Sequence, residues 1–204
     1  MFFLAHFFVP EIASSAVRIS PDAAAVIVRT RTTQATYALV DTNELHHGGG
    51  TVHEFSAEYN QGDLHRVETP RHRIVANCRT HDAAALNIAT GEITHAPEIA
   101  TFACGMYTNQ NLRSADVTGS RQSEFGSVDQ IKLVSTDSIK TYEVAQNGAI
   151  VAETISDVNG NPELINRAIS LSSKLPAGDL FSEASLARSV VPEGLKRKAS
   201  DPGK

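Results

Sequence analysis

The stretch from Gly48 to Gly91 constrains this chain most, because apolar and polar residues alternate in it with the period of a β-strand and turn formers punctuate the alternation. Thr51, His53, Phe55, Ala57 and Tyr59 fall on one side of an extended backbone, and Val52, Glu54, Ser56 and Glu58 on the other. The second side is polar. The pattern therefore predicts a half-buried strand with one wet or functional face. A turn over Asn60 to Asp63 sends the chain back, which predicts Tyr59 opposite Leu64, Ala57 opposite Arg66 and Phe55 opposite Glu68. In that hairpin His65 sits beside Glu58.

β texture continues on both sides of this hairpin. Val17 to Asp22, Ala25 to Thr30 and Thr36 to Thr42 read as a meander of three strands, with Ser20, Pro21 and Asp22 as turn formers. Later, Val128 to Val134 alternates, and Asn147-Gly148 is the strongest turn signal in the chain, since both positions tolerate positive φ. That turn predicts Val144 opposite Val151 and Tyr142 opposite Glu153. Between these regions, residues 104–127 are rich in Asn, Ser, Gly and Asp and read as a long connection or lid.

One amphipathic helix is expected, over residues 162–174. Asn161 suits its cap, Pro162 its first position, and Leu164, Ile165, Ala168, Ile169 and Leu171 form its apolar stripe. A shorter helix is expected from Ser182, and from Pro192 a polar, disordered basic tail that includes Lys196, Arg197 and Lys198. The fold class is thus all-β, antiparallel meanders with a single β-rich domain over residues 17–181 and a C-terminal helix. Residues 1–16 form a separate apolar segment that loosely resembles a signal peptide or supplies a docking strand. The first reading places the protein in the periplasm or outside the cell, the second in the cytoplasm.

Composition narrows the partners. In 204 residues, 41% hydrophobic and 20% charged content fits one globular domain with its own core, and a net charge of -5 gives no electrostatic case for nucleic acid. No apolar run approaches the roughly 20 residues of a membrane span. Cys78 and Cys104 fit either one disulfide in an oxidising compartment or two buried thiols in a reducing one, with the thiols favoured.

The stretch Ile19-Ser20-Pro21-Asp22 followed by an apolar strand resembles a blade of the TolB-like or prolyl-oligopeptidase-type β-propellers. Arg73 to Glu92, with its Ala89-Thr90-Gly91-Glu92 turn, is similar in rhythm, as is Val144 to Asp157. The resemblance implies stacked four-stranded blades. The other arrangement open to these meanders is one long curved sheet, which resembles the half-barrels of periplasmic lipoprotein carriers.

Histidine supplies the sharpest compositional bias: seven of eight fall between His46 and His95. Imidazoles on neighbouring strands converge only where register and face agree. His53, His65 and His72 are the candidate ligands for a divalent metal such as zinc, although no H-x-H or HExxH spacing accompanies them and the leading expectation is no cofactor. His53, His65 and Glu58 are the candidate acid–base groups. His47, Tyr59, Arg66, His72 and Tyr107 are the candidate ligand contacts on a histidine-rich face. His47-Gly48-Gly49-Gly50 resembles the oxyanion loop of lipase-like hydrolases, but no GxSxG nucleophile elbow follows. Two functions follow from these residues. One is a non-catalytic domain of the envelope binding a small molecule or partner protein, framed by residues 104–127 and the hairpin. The other is a small lyase or hydrolase using the histidines.

Overall fold

The computed structural model describes residues 17–32, 35–106, 108 and 111–201. They form one sheet. After a two-residue strand β1 (Arg18–Ile19) and helix α1 (Pro21–Thr32) come β2 (Thr36–His47), β3 (Gly50–Gln61), β4 (Leu64–Glu68), β5 (His72–Asn77), β6 (Asp82–Asn87) and β7 (Ile93–His95). Helix α2 (Pro97–Ala103) leads to β8 (Leu112–Ser123), β9 (Gly126–Ser135), β10 (Ser138–Ala145), β11 (Ile150–Asp157) and β12 (Pro162–Ser172). A 3-10 helix (Glu183–Ala187) and α3 (Glu193–Ser200) follow. The strand order is β1-β8-β9-β10-β11-β12-β2-β3-β4-β5-β6-β7, antiparallel except for β1 on β8. A continuous sheet of twelve strands replaces the separate blades that the propeller resemblance implied.

Several expected elements change type. The Ser20-Pro21-Asp22 turn is a helix start: Ser20 Oγ accepts from Ala23 N at 3.3 Å, Pro21 needs no amide partner in the first turn, and Asp22 meets the positive end of the dipole. The apparent strand Ala25 to Thr30 is the body of that helix. Its buried positions, Ala23, Val26, Ile27 and Thr30, have helical spacing. Conversely, residues 162–172 are a central strand between β11 and β2. A bulge between Ala168 and Ser170 adds one residue to it, so that Leu164, Ala168 and Leu171 share a face at the spacing of a helical stripe. Asn161 closes a turn in which Asp157 Oδ1 accepts from Asn159 N and Asn161 N at 2.8 and 2.9 Å. Residues 112–123 form a bulged strand rather than a lid. The tail also folds, with α3 burying Ala199 and Leu195 packing on the sheet.

The two hairpins keep their turns. Gly62-Asp63 is a two-residue loop, so Ala57 faces Glu68, Tyr59 faces Arg66 and Gln61 faces Leu64, two residues on from the expected register. Because the slip is even, every side chain stays on its expected face. At Asn147-Gly148, Tyr142 does pair with Glu153, while a bulge sets Val144 against Ile150.

Helices α1 and α2 share one face of the sheet, called inner below. Helix α1 packs on Ala115, Ile131, Leu133 and Tyr142, and α2 on Val67, Ile74, Ala76 and Ala83. Their C-terminal ends meet. Met106 N donates to Thr30 Oγ1 at 3.1 Å and Arg31 donates to Met106 O, while Gly105, at φ +79, approaches Thr30 so closely that any Cβ would strike its carbonyl. On a flat sheet seven strand spacings, about 34 Å, would separate β9 from β5. The sheet instead curls around the helix pair as an open curved wall. Cys104, at the end of α2, is bonded to Cys78 after β5, so the cysteines are a disulfide and not the favoured free thiols.

The opposite, outer face is covered over β2 to β6 by the C-terminal segment. Val40, Ala57, Tyr59 and Phe55 receive Val191, Val190, Phe181 and Leu195. Arg66 is the anchor. With no exposure, it donates from Nε to Glu68 Oε1 at 2.8 Å and to the carbonyls of Leu180, Ser185 and Arg188 at 2.9, 3.2 and 2.8 Å. Glu68 Oε1 in turn accepts from Val190 N at 3.0 Å.

Candidate functional site

Strand alternation decides where the sequence-derived candidates lie. Glu58 and His65 do meet, with Nε2 3.6 Å from Oε2 on the inner face and His65 only 3% exposed. His53 pairs with Glu44 and takes the outer face with Phe55, so it cannot join them. His72 sits exposed at the start of β5, four residues from Ala76, the partner of His65, or about 13 Å along the strand. His47 is exposed at the end of β2, His46 is beside Glu44, and His95 is beside Glu183. The histidine-rich face therefore does not form, nor does a His53, His65 and His72 metal triad. Tyr59, 1% exposed, lies beneath the C-terminal segment, and Arg66 has every donor engaged there. Tyr107 lies outside the described residues.

What the inner face does assemble is a group of acids and phenols. Tyr37 and Asp41 project from β2, Ser56 and Glu58 from β3, Tyr142 from β10, Glu153 from β11 and Asn166 from β12; the register places them all on one side. Tyr37 Oη donates to Glu58 Oε2 at 3.4 Å, and Ser56 Oγ donates to Asp41 Oδ2 at 3.4 Å. Asp41 is 2% exposed. Burial pushes its carboxyl well above the usual carboxylate range, and the Glu58 charge pushes it further, against the pull of hydrogen bonds from Asn166 and Ser56. Burial also raises Glu153, with Tyr142 and Lys140 opposing and Glu58 adding to the rise. Tyr37 and Tyr142 are raised by burial first and by their neighbouring glutamates second, so both remain neutral donors.

Glu58 and Glu153 stand three strand spacings apart, about 14 Å on a flat sheet. That their charges still reach one another is a product of the curl. Among the described residues, Asp41 Oδ1 and Asn166 Oδ1 are buried acceptors with no donor, and both ring nitrogens of His65 lack a partner. This is a wall of carboxyl groups and unspent acceptors in which burial biases Asp41 and Glu153 toward their neutral form, and it suits amide, ammonium or guanidinium donors, the cationic ones by favouring the ionised form of the acids they meet. The sequence signal for it was present in the polar side of Thr51 to Tyr59 and in the Tyr142–Glu153 pairing. Asp41 was hidden because it continues an apolar run, Tyr37, Leu39, Asp41, at a core position.

A second concavity lies on the outer face over β8 to β12, a groove of about 660 Å³ lined by Arg121, Thr141, Glu143, Thr154 and Arg167. Arg121 grips Glu143 in a fork, Nε to Oε1 at 2.7 Å and Nη2 to Oε2 at 2.5 Å. That hydrogen bonding holds the Glu143 carboxyl below its ordinary range.

No family model matches the chain, and no curated protein matches it in sequence. Its fold is similar to solved structures. An uncharacterized conserved protein from Thermus thermophilus aligns at TM-score 0.54 and 12% identity over 86% of this chain and 97% of that one. The complex structure of Pseudomonas aeruginosa MucA/MucB aligns at TM-score 0.52 and 10% identity over 82% of this chain, which spans 61% of that one. A LolA superfamily protein from Nitrosomonas europaea aligns at 0.42 and 7% identity over 80% and 99%. The single curled sheet, shared in fold with the first two of these structures, overturns the propeller resemblance and fits the alternative of one long curved sheet. Among the described residues no helix is long and apolar enough to cross a membrane.

Proposed function

We propose that the protein is a non-catalytic binding domain of the cell envelope that holds a donor-rich or cationic partner segment against the inner face of its sheet. One observation carries this reading: Asp41 Oδ1 and Asn166 Oδ1 are buried acceptors without donors, beside three carboxyl groups that face one another. A folded chain leaves such groups unmatched at a cost of about 1–3 kcal/mol each, which a bound donor recovers. The Cys78–Cys104 disulfide supports an oxidising, extracytoplasmic setting. The MucA/MucB complex is a precedent for a protein partner on this fold.

A lysine-rich decapeptide titrated into labelled protein tests the reading by NMR. The expected shifts centre on residues 37–43, 54–60 and 151–155 and vanish in the Glu58→Gln, Glu153→Gln double variant. Shifts confined to other strands, or unchanged in the double variant, would overturn it.

A further inference from the structure

His65 has a second neighbourhood. Its ligand-capable nitrogen and the sulfurs of Cys78 and Cys104 all lie within 4.8 Å of one another, a single cluster of metal-binding atoms. Three elements bring them together: β4 carries His65 on the inner face, the turn after β5 carries Cys78, with Cys78 N donating to Asp63 O at 2.8 Å, and the end of α2 carries Cys104. In the oxidised chain the sulfurs spend their bonding on each other. The imidazole is left only 3% exposed, with neither nitrogen hydrogen-bonded. A buried polar ring without a partner costs stability, so its retention in this spot calls for a role.

We propose that reduction of the Cys78–Cys104 disulfide converts this cluster into a binding site for a soft divalent cation such as Zn²⁺, held by Cys78, Cys104 and His65. The chemistry balances with a dithiol reductant. Its two thiols deliver two electrons and two protons, the Cys78–Cys104 bond breaks to two thiols, and the reductant closes its own disulfide. Metal binding then displaces the two thiol protons to solvent and forms two metal–thiolate bonds and one metal–imidazole bond. Two thiolates on tetrahedral zinc stand about 3.8 Å apart, from zinc–sulfur bonds of about 2.3 Å. The two cysteines are already neighbours, with Cα atoms 5.6 Å apart, so the sulfurs need only side-chain rotation to part. Glu58 Oε2, 3.6 Å from His65 Nε2, is the carboxylate placed to orient the imidazole. With three protein ligands, the fourth position is left to water.

The site shares Glu58 with the partner-binding reading but turns on free thiols, so metal binding can fail while partner binding stands, and the reverse. The test compares oxidised and dithiol-reduced protein, and reduced His65→Ala, by isothermal titration with Zn²⁺ and by the visible spectrum of bound Co²⁺. Far-UV circular dichroism runs alongside. The expected result is about one ion per reduced chain, none on the oxidised chain, tetrahedral thiolate bands with Co²⁺, and affinity at least tenfold weaker in His65→Ala. Equal binding before and after reduction, or no loss in His65→Ala, overturns the proposal. So does a reduced chain that unfolds and is not refolded by Zn²⁺.

Discussion

Replacing Glu68 with Gln probes the anchor of the C-terminal segment. Arg66 has no contact with water, and Glu68 is its one carboxylate partner, at 2.7 Å from Nη2 with 0% and 1% side-chain exposure. Glu68→Gln keeps an oxygen for Val190 N but leaves a guanidinium without its counter-charge in a dry site. Breaking one side of a buried pair costs about 3–5 kcal/mol, a large part of the roughly 5–15 kcal/mol that holds a typical domain together. Arg73, whose Nε is 3.8 Å from Glu68 Oε2, is beyond hydrogen-bond reach of it and donates from Nη1 to Leu186 O at 2.8 Å instead. Arg66→Met should cost more than Glu68→Gln. It strands the Glu68 charge and also takes the Arg66 donor from the carbonyl of Arg188, at about 1–3 kcal/mol, whereas those of Leu180 and Ser185 keep Ser185 Oγ and Arg188 N. Urea unfolding followed by circular dichroism measures both losses. Limited proteolysis should show residues 180–192 cut before the sheet in each variant, because the clasp is the local hold. A Glu68→Gln loss below about 1 kcal/mol, or a smaller loss for Arg66→Met than for Glu68→Gln, would refute the reasoning.

Two further outcomes follow from groups on the inner face. Asp41 has a carboxyl raised in the folded chain above its ordinary value of 3.8, so the folded state keeps a proton that the unfolded state has lost. Its contribution is therefore most favourable below that value and declines as pH climbs toward the folded pKa, by up to about 1.4 kcal/mol per unit. Asp41→Asn should raise the denaturation midpoint at neutral pH and flatten its fall between acid and neutral; a steeper fall would contradict the assignment. Removing the disulfide with Cys78→Ser and Cys104→Ser frees a loop with sequence separation 26, and chain entropy for that length is worth about 3.5 kcal/mol at 25 °C. Thermal melts with and without the substitutions measure it, and an unchanged midpoint would sink that figure.

Much of the sheet was legible because alternation is a local property. Thr51 to Tyr59 announced two faces, and those faces survived even though the hairpin register moved by two residues. Where reading failed, two local patterns had coincided. Ser20-Pro21-Asp22 serves a turn or a helix cap equally well, and only the three alanines that follow favour the helix. In β12 a bulge produced helical spacing in a strand whose identity is set by pairing with β11, across the short turn before it, and with β2, which is remote in sequence. The site was half visible for a similar reason. Glu58 and His65 come from one hairpin and Asp41 from the strand that pairs with it, whereas Asn166 and Glu153 join them from β12 and β11, which are remote in sequence and meet them only in the assembled sheet. The histidines misled because clustering in sequence says nothing about which way each ring points.

The two helices that lean together at Gly105 and Thr30 are not held alike. Helix α2 is bolted to the strand end through Cys104, whereas α1 rests on apolar packing and on Arg29, whose Nη2 reaches Asp129 Oδ2 at 2.6 Å. The Cys78–Cys104 bond thus ties residues 97–104 covalently to the far half of the wall, while residues 21–32 keep their place on β8 to β10 by non-covalent contacts alone, so reduction loosens the first helix pairing without touching the second.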